Sequence, residues 1–507
     1  MRSYKVFLNL ISNLVMQLCA IIAGIIIPQM ILKQYGSRIN GFTSSINQFL
    51  GYFSLVEGGI GAASIVALYK PFADKDEKKI REIYHSTSSY LNKAGIFYMI
   101  FLMVLAIGYP VVIHSGLNTF LVRSLIVVIG FGKMIELIVL GRYRIILTAD
   151  QNIGIYAFAQ TIGYICTVQF AFLSVQFGLG IVEMQICIFM TYVLRTYILC
   201  KICKNKYRHI INIHKGQKIS KIVIPQQSAA LVHQIASMVA YNTDMIVLTF
   251  VVSLLEVSIY SVYSVLFNGI QSILTAFQNV ITPAFGDMLS RNEEENLENA
   301  FSSYEFLYYF MTTTVTIGVI LLIEPFIMLY SNGISDCKYW DAKIAAFFIV
   351  IFILNNFRLP GSILISAAGH LKQTQYFFIL EAVLNLVISV ILVKPLGITG
   401  CLIGTFFSGG VRLFFVLLYP YFKIHKFSLK IMLKRGVYNV VMIVAAWLGR
   451  TMLDGRVSNW FQFFCYGITI VIIVVTFQVI VAFFMDKREF KILVEKIRLI
   501  LKRGRVL

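Results

Sequence analysis

Leu396-Gly397-Ile398 repeats Leu179-Gly180-Ile181 at an offset of 217 residues. The same offset carries Leu14-Val15-Met16-Gln17 onto Leu231-Val232-His233-Gln234, and Arg195 onto Arg412. Leu, Val, Gly and Ile are common in this chain, so each match alone says little. One offset shared by three separated segments says that a single unit was used twice. A looser echo follows the second apolar stretch of each half: Pro71-Phe72-Ala73-Asp74 against Pro283-Ala284-Phe285-Gly286-Asp287.

Around these anchors run about fourteen apolar stretches, each roughly 20–28 residues long and able to cross a ~30 Å hydrocarbon core as a helix. They include 42–69, 223–252, 257–285 and 341–367. With the N-terminus inside, 32 of the 44 Lys and Arg residues fall in cytoplasmic segments, eight in or beside outer segments and four within helices. The positive-inside rule predicts that asymmetry and places both termini in the cytoplasm. The longest inner connections fall at 70–90, 204–221 and 286–300. Six helices per repeat is an even number, so the repeat is parallel, about an axis along the membrane normal. Transporters built this way hold substrate between their halves; a duplication kept only for packing is the other reading. The expected fold is all-α and polytopic. It has an N-lobe at 1–203, a basic cytoplasmic linker at 204–221, a C-lobe at 222–422, a further helix pair within 423–485 and a basic amphipathic cytoplasmic tail at 486–507.

Composition agrees. Of the 507 residues 58% are hydrophobic and 13% charged, more apolar surface than a soluble core absorbs. The net charge of +20 lies mainly in the linker and tail, where it sets topology and meets anionic membrane lipid rather than nucleic acid. The eight Cys residues are scattered and give no disulfide framework. Cys200-Lys201-Ile202-Cys203 has CxxC spacing but no second pair, so no metal or cofactor is expected. There is no P-loop, H-E-x-x-H or G-x-S-x-G motif, and no outer loop long enough for a glycosyltransferase site, so an enzyme is not expected.

An ionisable group in the membrane costs at least about 2.5–3.5 kcal/mol and needs a partner, a wet cavity or a function. The bases are Lys133, Arg195, Arg358 and Arg412; the acids are Glu57, Glu136, Asp244 and Glu381. Arg195, Arg358 and Arg412 fall at similar depth in the cytoplasmic half. Guanidinium forks at one level suit a phosphate. Snorkelling, or pairing with a carboxylate, is the alternative. Lys133 and Glu136, three apart, can pair on one helix. Glu57 and Asp244 can bind a proton or Na⁺, or neutralise the arginines. Asn47, Gln48, His233, Asn242, Asn268 and Gln271 add polarity that a water-filled cavity would accommodate, with helices one, two, seven and eight lining it.

Several stretches resemble the bacterial polysaccharide flippase branch of the multidrug/oligosaccharidyl-lipid/polysaccharide exporter superfamily. They are Asn9-Leu10-Ile11-Ser12-Asn13 with Pro28 and Tyr35-Gly36, Glu57-Gly58-Gly59-Ile60-Gly61-Ala62-Ala63, Asn242-Thr243-Asp244, Arg358-Leu359-Pro360 with Ala368-Gly369, and Leu396-Gly397-Ile398-Thr399-Gly400 with Gly404-Thr405. The resemblance implies two lobes around a central cavity and alternating access in a bacterial plasma membrane. It implies an undecaprenyl-pyrophosphate-linked oligosaccharide as substrate, met by Arg195, Arg358, Arg412 and Lys133. It implies coupling to H⁺ or Na⁺, and a polysaccharide polymerase or glycosyltransferases as partners. A cation or drug antiporter, and a flippase for a peptidoglycan lipid precursor, are the rival readings within the superfamily.

Overall fold

The computed structural model describes residues 2–113, 115–211, 227–425, 427–450, 457–492 and 495. Every element among them is helical. Twelve helices are long and apolar enough to span a bilayer, as expected of a multi-pass membrane protein. The two remaining expected spans take other forms. The stretch 42–69 is divided between helices Ser37–Gly51 and Ser54–Asp74, which part at a glycine, a poor helix former. The stretch 223–252 is met by helix Gln227–Val251. Most of the linker and of the tail lies outside the described residues.

The repeat is written into helix boundaries. Helix Ile181–Lys206 and helix Ile398–Lys423 both have 26 residues, and both their ends differ by the offset of 217. Lys75 and Asn292, again 217 apart, take the same left-handed backbone at φ 54° and 56°. Each reverses the chain between two long helices, Ser54–Asp74 into Glu77–Val112 and Leu254–Ser290 into Glu294–Tyr330. The expectation of long inner loops at 70–90 and 286–300 is therefore corrected. Both are helical ends joined by tight turns. Helices of 36 and 37 residues run about 55 Å at 1.5 Å per residue, well past the hydrocarbon, so their charged ends hid the helical pattern.

Two compact units emerge from the packing. Unit 1 holds residues 1–272 and 333–337; unit 2 holds 273–332 and 338–507. In unit 1, helices Gln227–Val251 and Ser37–Gly51 are neighbours, and Asn40 donates to Ser258 Oγ at 2.7 Å and Ser261 Oγ at 3.1 Å. In unit 2, the last span packs by one stripe. Ile470, Val474, Gln478 and Ala482 are its buried residues, one per helical turn, while Ile468, Val471, Ile472 and Ile473 stay exposed. Such a helix turns most of its circumference to lipid.

One cap in unit 1 makes a pH prediction. Gly36 at φ 85° breaks the chain before helix Ser37–Gly51, a backbone that only glycine adopts freely. The Asp336 carboxylate then accepts from the Ser37 amide at 2.9 Å and its hydroxyl at 2.5 Å. Partial burial acts to raise the Asp336 pKa, but the Ser37 bonds outweigh it and hold the group below its usual range. A lowered carboxylate pKa stabilises the fold above the unfolded value, and that stability is lost as pH falls through the folded one. Asp336→Asn is expected to lower thermal stability at pH 7 by about 0.5 kcal/mol, small because Asp336 is exposed. Melting curves of the two proteins should converge only as pH falls below the usual carboxylate range.

Candidate functional site

A cavity of about 290 Å³ opens inside unit 1, bordered among others by Pro28, Asn47, Lys133, Tyr164, Gln185, Tyr192 and Arg195. Pro28 interrupts helix Arg2–Tyr35 and cannot donate to the Gly24 carbonyl, and both residues border the space. Lys133 stands near the end of helix Thr119–Ile135, which continues through a π turn at Glu136–Leu140. There the Gly141 amide bonds to the Glu136 carbonyl, five residues back. Lys133 Nζ lies 3.4 Å from Glu136 Oε2, the internal pair that their spacing allowed.

Arg195 is 2% exposed, yet its hydrogen bonds go to neutral groups: Gln160 Oε1 at 3.0 Å and Thr167 Oγ1 at 2.9 Å. The rings of Tyr164 and Tyr192 lie 4.7 and 4.9 Å from its guanidinium carbon. A Cβ at Gly163 would fall 1.8 Å from Arg195 Nε, so glycine there is what lets the guanidinium lie across helix Ile153–Gln176. Among the described residues that buried Nε has no hydrogen-bond partner.

The arginine tier divides. In unit 2, Arg358 and Arg412 close on one carboxylate, Glu381. Arg358 Nη1 is 2.7 Å from Oε1, and Arg412 Nη1 bonds to Oε2. All three side chains are at most 6% exposed, and the Arg412 guanidinium also lies over the Phe378 ring at 3.6 Å. Arg358 reaches this position because Pro360 breaks the tenth expected span into Ala342–Phe357 and Leu359–Ala367. The carboxylate-pairing alternative therefore describes Arg358 and Arg412. Tyr164 stands 217 residues before Glu381, so the repeat places an aromatic ring beside Arg195 where Arg412 has a carboxylate.

The remaining candidates are spread through unit 1. Asp244 is buried and accepts from Tyr260 Oη at 3.1 Å. Gln48 donates to the Asn242 carbonyl at 3.3 Å, Gln271 is half-buried and Asn268 is exposed. The side chains of Glu57 and His233 lie outside the described residues.

Sequence reasoning missed one charged centre. Arg435, counted with the cytoplasmic bases, is 1% exposed in unit 2. It bonds to Asp486 Oδ2 at 2.6 Å, Glu305 Oε2 at 3.0 Å, and the carbonyl and hydroxyl of Ser302 at 2.9 and 3.0 Å. Glu489 completes the cluster by accepting from the Ser302 and Ser303 hydroxyls, both at 2.8 Å. A charge that stands beside Lys430 and Lys434 in the sequence gave no signal of this.

Units of this kind, all-helical and carrying buried charge, define a polytopic membrane fold. The chain is similar to the lipid II flippase MurJ in an inward closed conformation, with a TM-score of 0.65, 16% identity, and 94% of this chain and 99% of that one covered. It is similar to an inward-facing multidrug resistance MATE family transporter of the MOP superfamily, with a TM-score of 0.63, 12% identity, and 85% and 96% covered. A MATE in the bent conformation matches with a TM-score of 0.57 at 12% identity over 87% and 96%. These likenesses establish the fold that the chain shares with both groups. No family model and no curated protein matches the sequence.

Proposed function

We propose that this protein is an alternating-access flippase that moves a lipid-linked oligosaccharide, carried on undecaprenyl pyrophosphate, across the bacterial plasma membrane for surface polysaccharide synthesis. One observation carries the reading: the cavity in unit 1 is bordered by Lys133 and by an Arg195 whose hydrogen bonds are all to neutral groups. A cation held ready by amide, hydroxyl and aromatic groups suits an anionic guest better than a drug cation. The fold shared with a lipid II flippase supports the reading, and a flippase for a peptidoglycan lipid precursor is the rival reading on the same fold. Asp244, buried beside Tyr260, is the proposed carrier of the coupling H⁺ or Na⁺.

The test is flipping of a fluorescent lipid-linked oligosaccharide in proteoliposomes, together with surface polymer in cells. Arg195→Lys keeps the charge and loses the planar fork; Lys133→Gln removes the charge. A hydrogen bond to a charged group contributes about 1.5–3 kcal/mol, so each variant is expected to slow flipping by about tenfold or more. Wild-type rates from both, at matched protein levels, would remove these residues from the substrate path.

A further inference from the structure

We infer that Glu136 is a built-in counter-ion that the anionic group of the substrate displaces, so that this carboxylate sets how tightly the unit 1 cavity holds an anion. The inference rests on the reading that the cavity receives an anion, and it adds the residue that regulates that step. Two ion clusters among the expected membrane charges can be compared. Around Glu381 the side chains are between 2 and 6% exposed and the contacts are short, so nothing reaches them. Lys133 and Glu136 are 39 and 29% exposed, and their 3.4 Å separation exceeds the ~2.7–2.9 Å of a strong charge-assisted bond. This pair is loose and open where the other is tight and sealed.

Backbone geometry agrees with charge. Glu136 opens the π turn, a widened turn that in other helices often marks functional positions. Charge balance supplies the direction. Lys133 and Arg195 carry two positive charges, and Glu136 offsets one. A doubly anionic group meets a matched site only when Glu136 gives up Lys133. A neutral head group has no means of displacing it, so Glu136 also works against neutral guests.

The experiment uses the full-length protein in nanodiscs with inorganic pyrophosphate as probe, binding being read by calorimetry. Glu136→Gln keeps shape and removes the competing charge. It is expected to bind pyrophosphate about fivefold tighter than wild type, the scale of a partly exposed ion pair. Glu136→Ser should behave likewise, which covers a fold that tolerates only one of the two, and Glu136→Asp should stay near wild type. Unchanged or weaker binding by the Gln and Ser variants, with weaker binding by Arg195→Lys, would overturn the counter-ion role while leaving the anion site standing. Absence of pyrophosphate binding in every protein, wild type included, would overturn both.

Discussion

Glu381→Gln is expected to abolish folded protein. Glu381 is 3% exposed and is the carboxylate on which Arg358 and Arg412 both close. An amide in its place leaves two guanidinium groups buried without a counter-charge. Breaking a buried pair from one side costs about 3–5 kcal/mol. Whole domains have only about 5–15 kcal/mol to lose. Size-exclusion profiles of detergent extracts should show loss of the monodisperse species. Replacing all three groups at once, Arg358→Met, Glu381→Leu and Arg412→Met, removes the desolvation cost together with the charges and should recover most of the folded material. Export by that triple variant would show that Arg358 and Arg412 hold unit 2 together and do not hold substrate. A monodisperse Glu381→Gln with an unchanged melting temperature would contradict the ion-triad account.

The triad shows where the sequence was legible. Apolar runs of membrane-spanning length announce themselves because lipid demands them, and the 217 offset announced the repeat down to helix ends such as Ile181 and Ile398. Chemistry inside the repeat was less visible. Arg195 and Arg412 look equivalent in one dimension. Their environments diverge because the residue facing each is set by the neighbouring helix, Tyr164 in one unit and Glu381 in the other. A pairing across helices leaves no local signature in sequence. The π turn at Glu136 is equally silent, since nothing in Glu136-Leu137-Ile138-Val139-Leu140 distinguishes it from an ordinary turn. Charged helix ends beyond the membrane read as loops for a related reason: hydropathy reports the lipid slab, and the helices do not stop there.

Arg435→Met is the second change with a large expected effect, and it tests how the start of the tail is held. The sequence predicts an amphipathic helix on the membrane surface for the tail, and its described first residues also bond within unit 2, with Asp486 on Arg435, Glu489 on Ser302 and Ser303, and Arg488 donating to Asn299 at 2.9 Å. One guanidinium serves Glu305, Asp486 and the Ser302 carbonyl and hydroxyl at once, a set that uses the fork of five donors. Removing it leaves three carboxylates close together, with Tyr421 Oη donating to Glu305 at 2.7 Å as a remaining contact. The cost is again several kcal/mol, and it falls first on the segment that can leave. Residues 486–489 can be released without unfolding a membrane span, whereas helices Glu294–Tyr330 and Leu429–Gly449 cannot. Arg435→Met should therefore expose the chain after Met485 to added protease at concentrations that spare the wild type, with a lower melting temperature. Arg435→Lys should fall between them, because one ammonium cannot reach all four partners. Glu489→Gln should stay close to wild type, since an amide oxygen still accepts from the serine hydroxyls. Equal protease resistance in wild type and Arg435→Met would mean that the tail is held by its apolar face on lipid after all, with Arg435 a bystander.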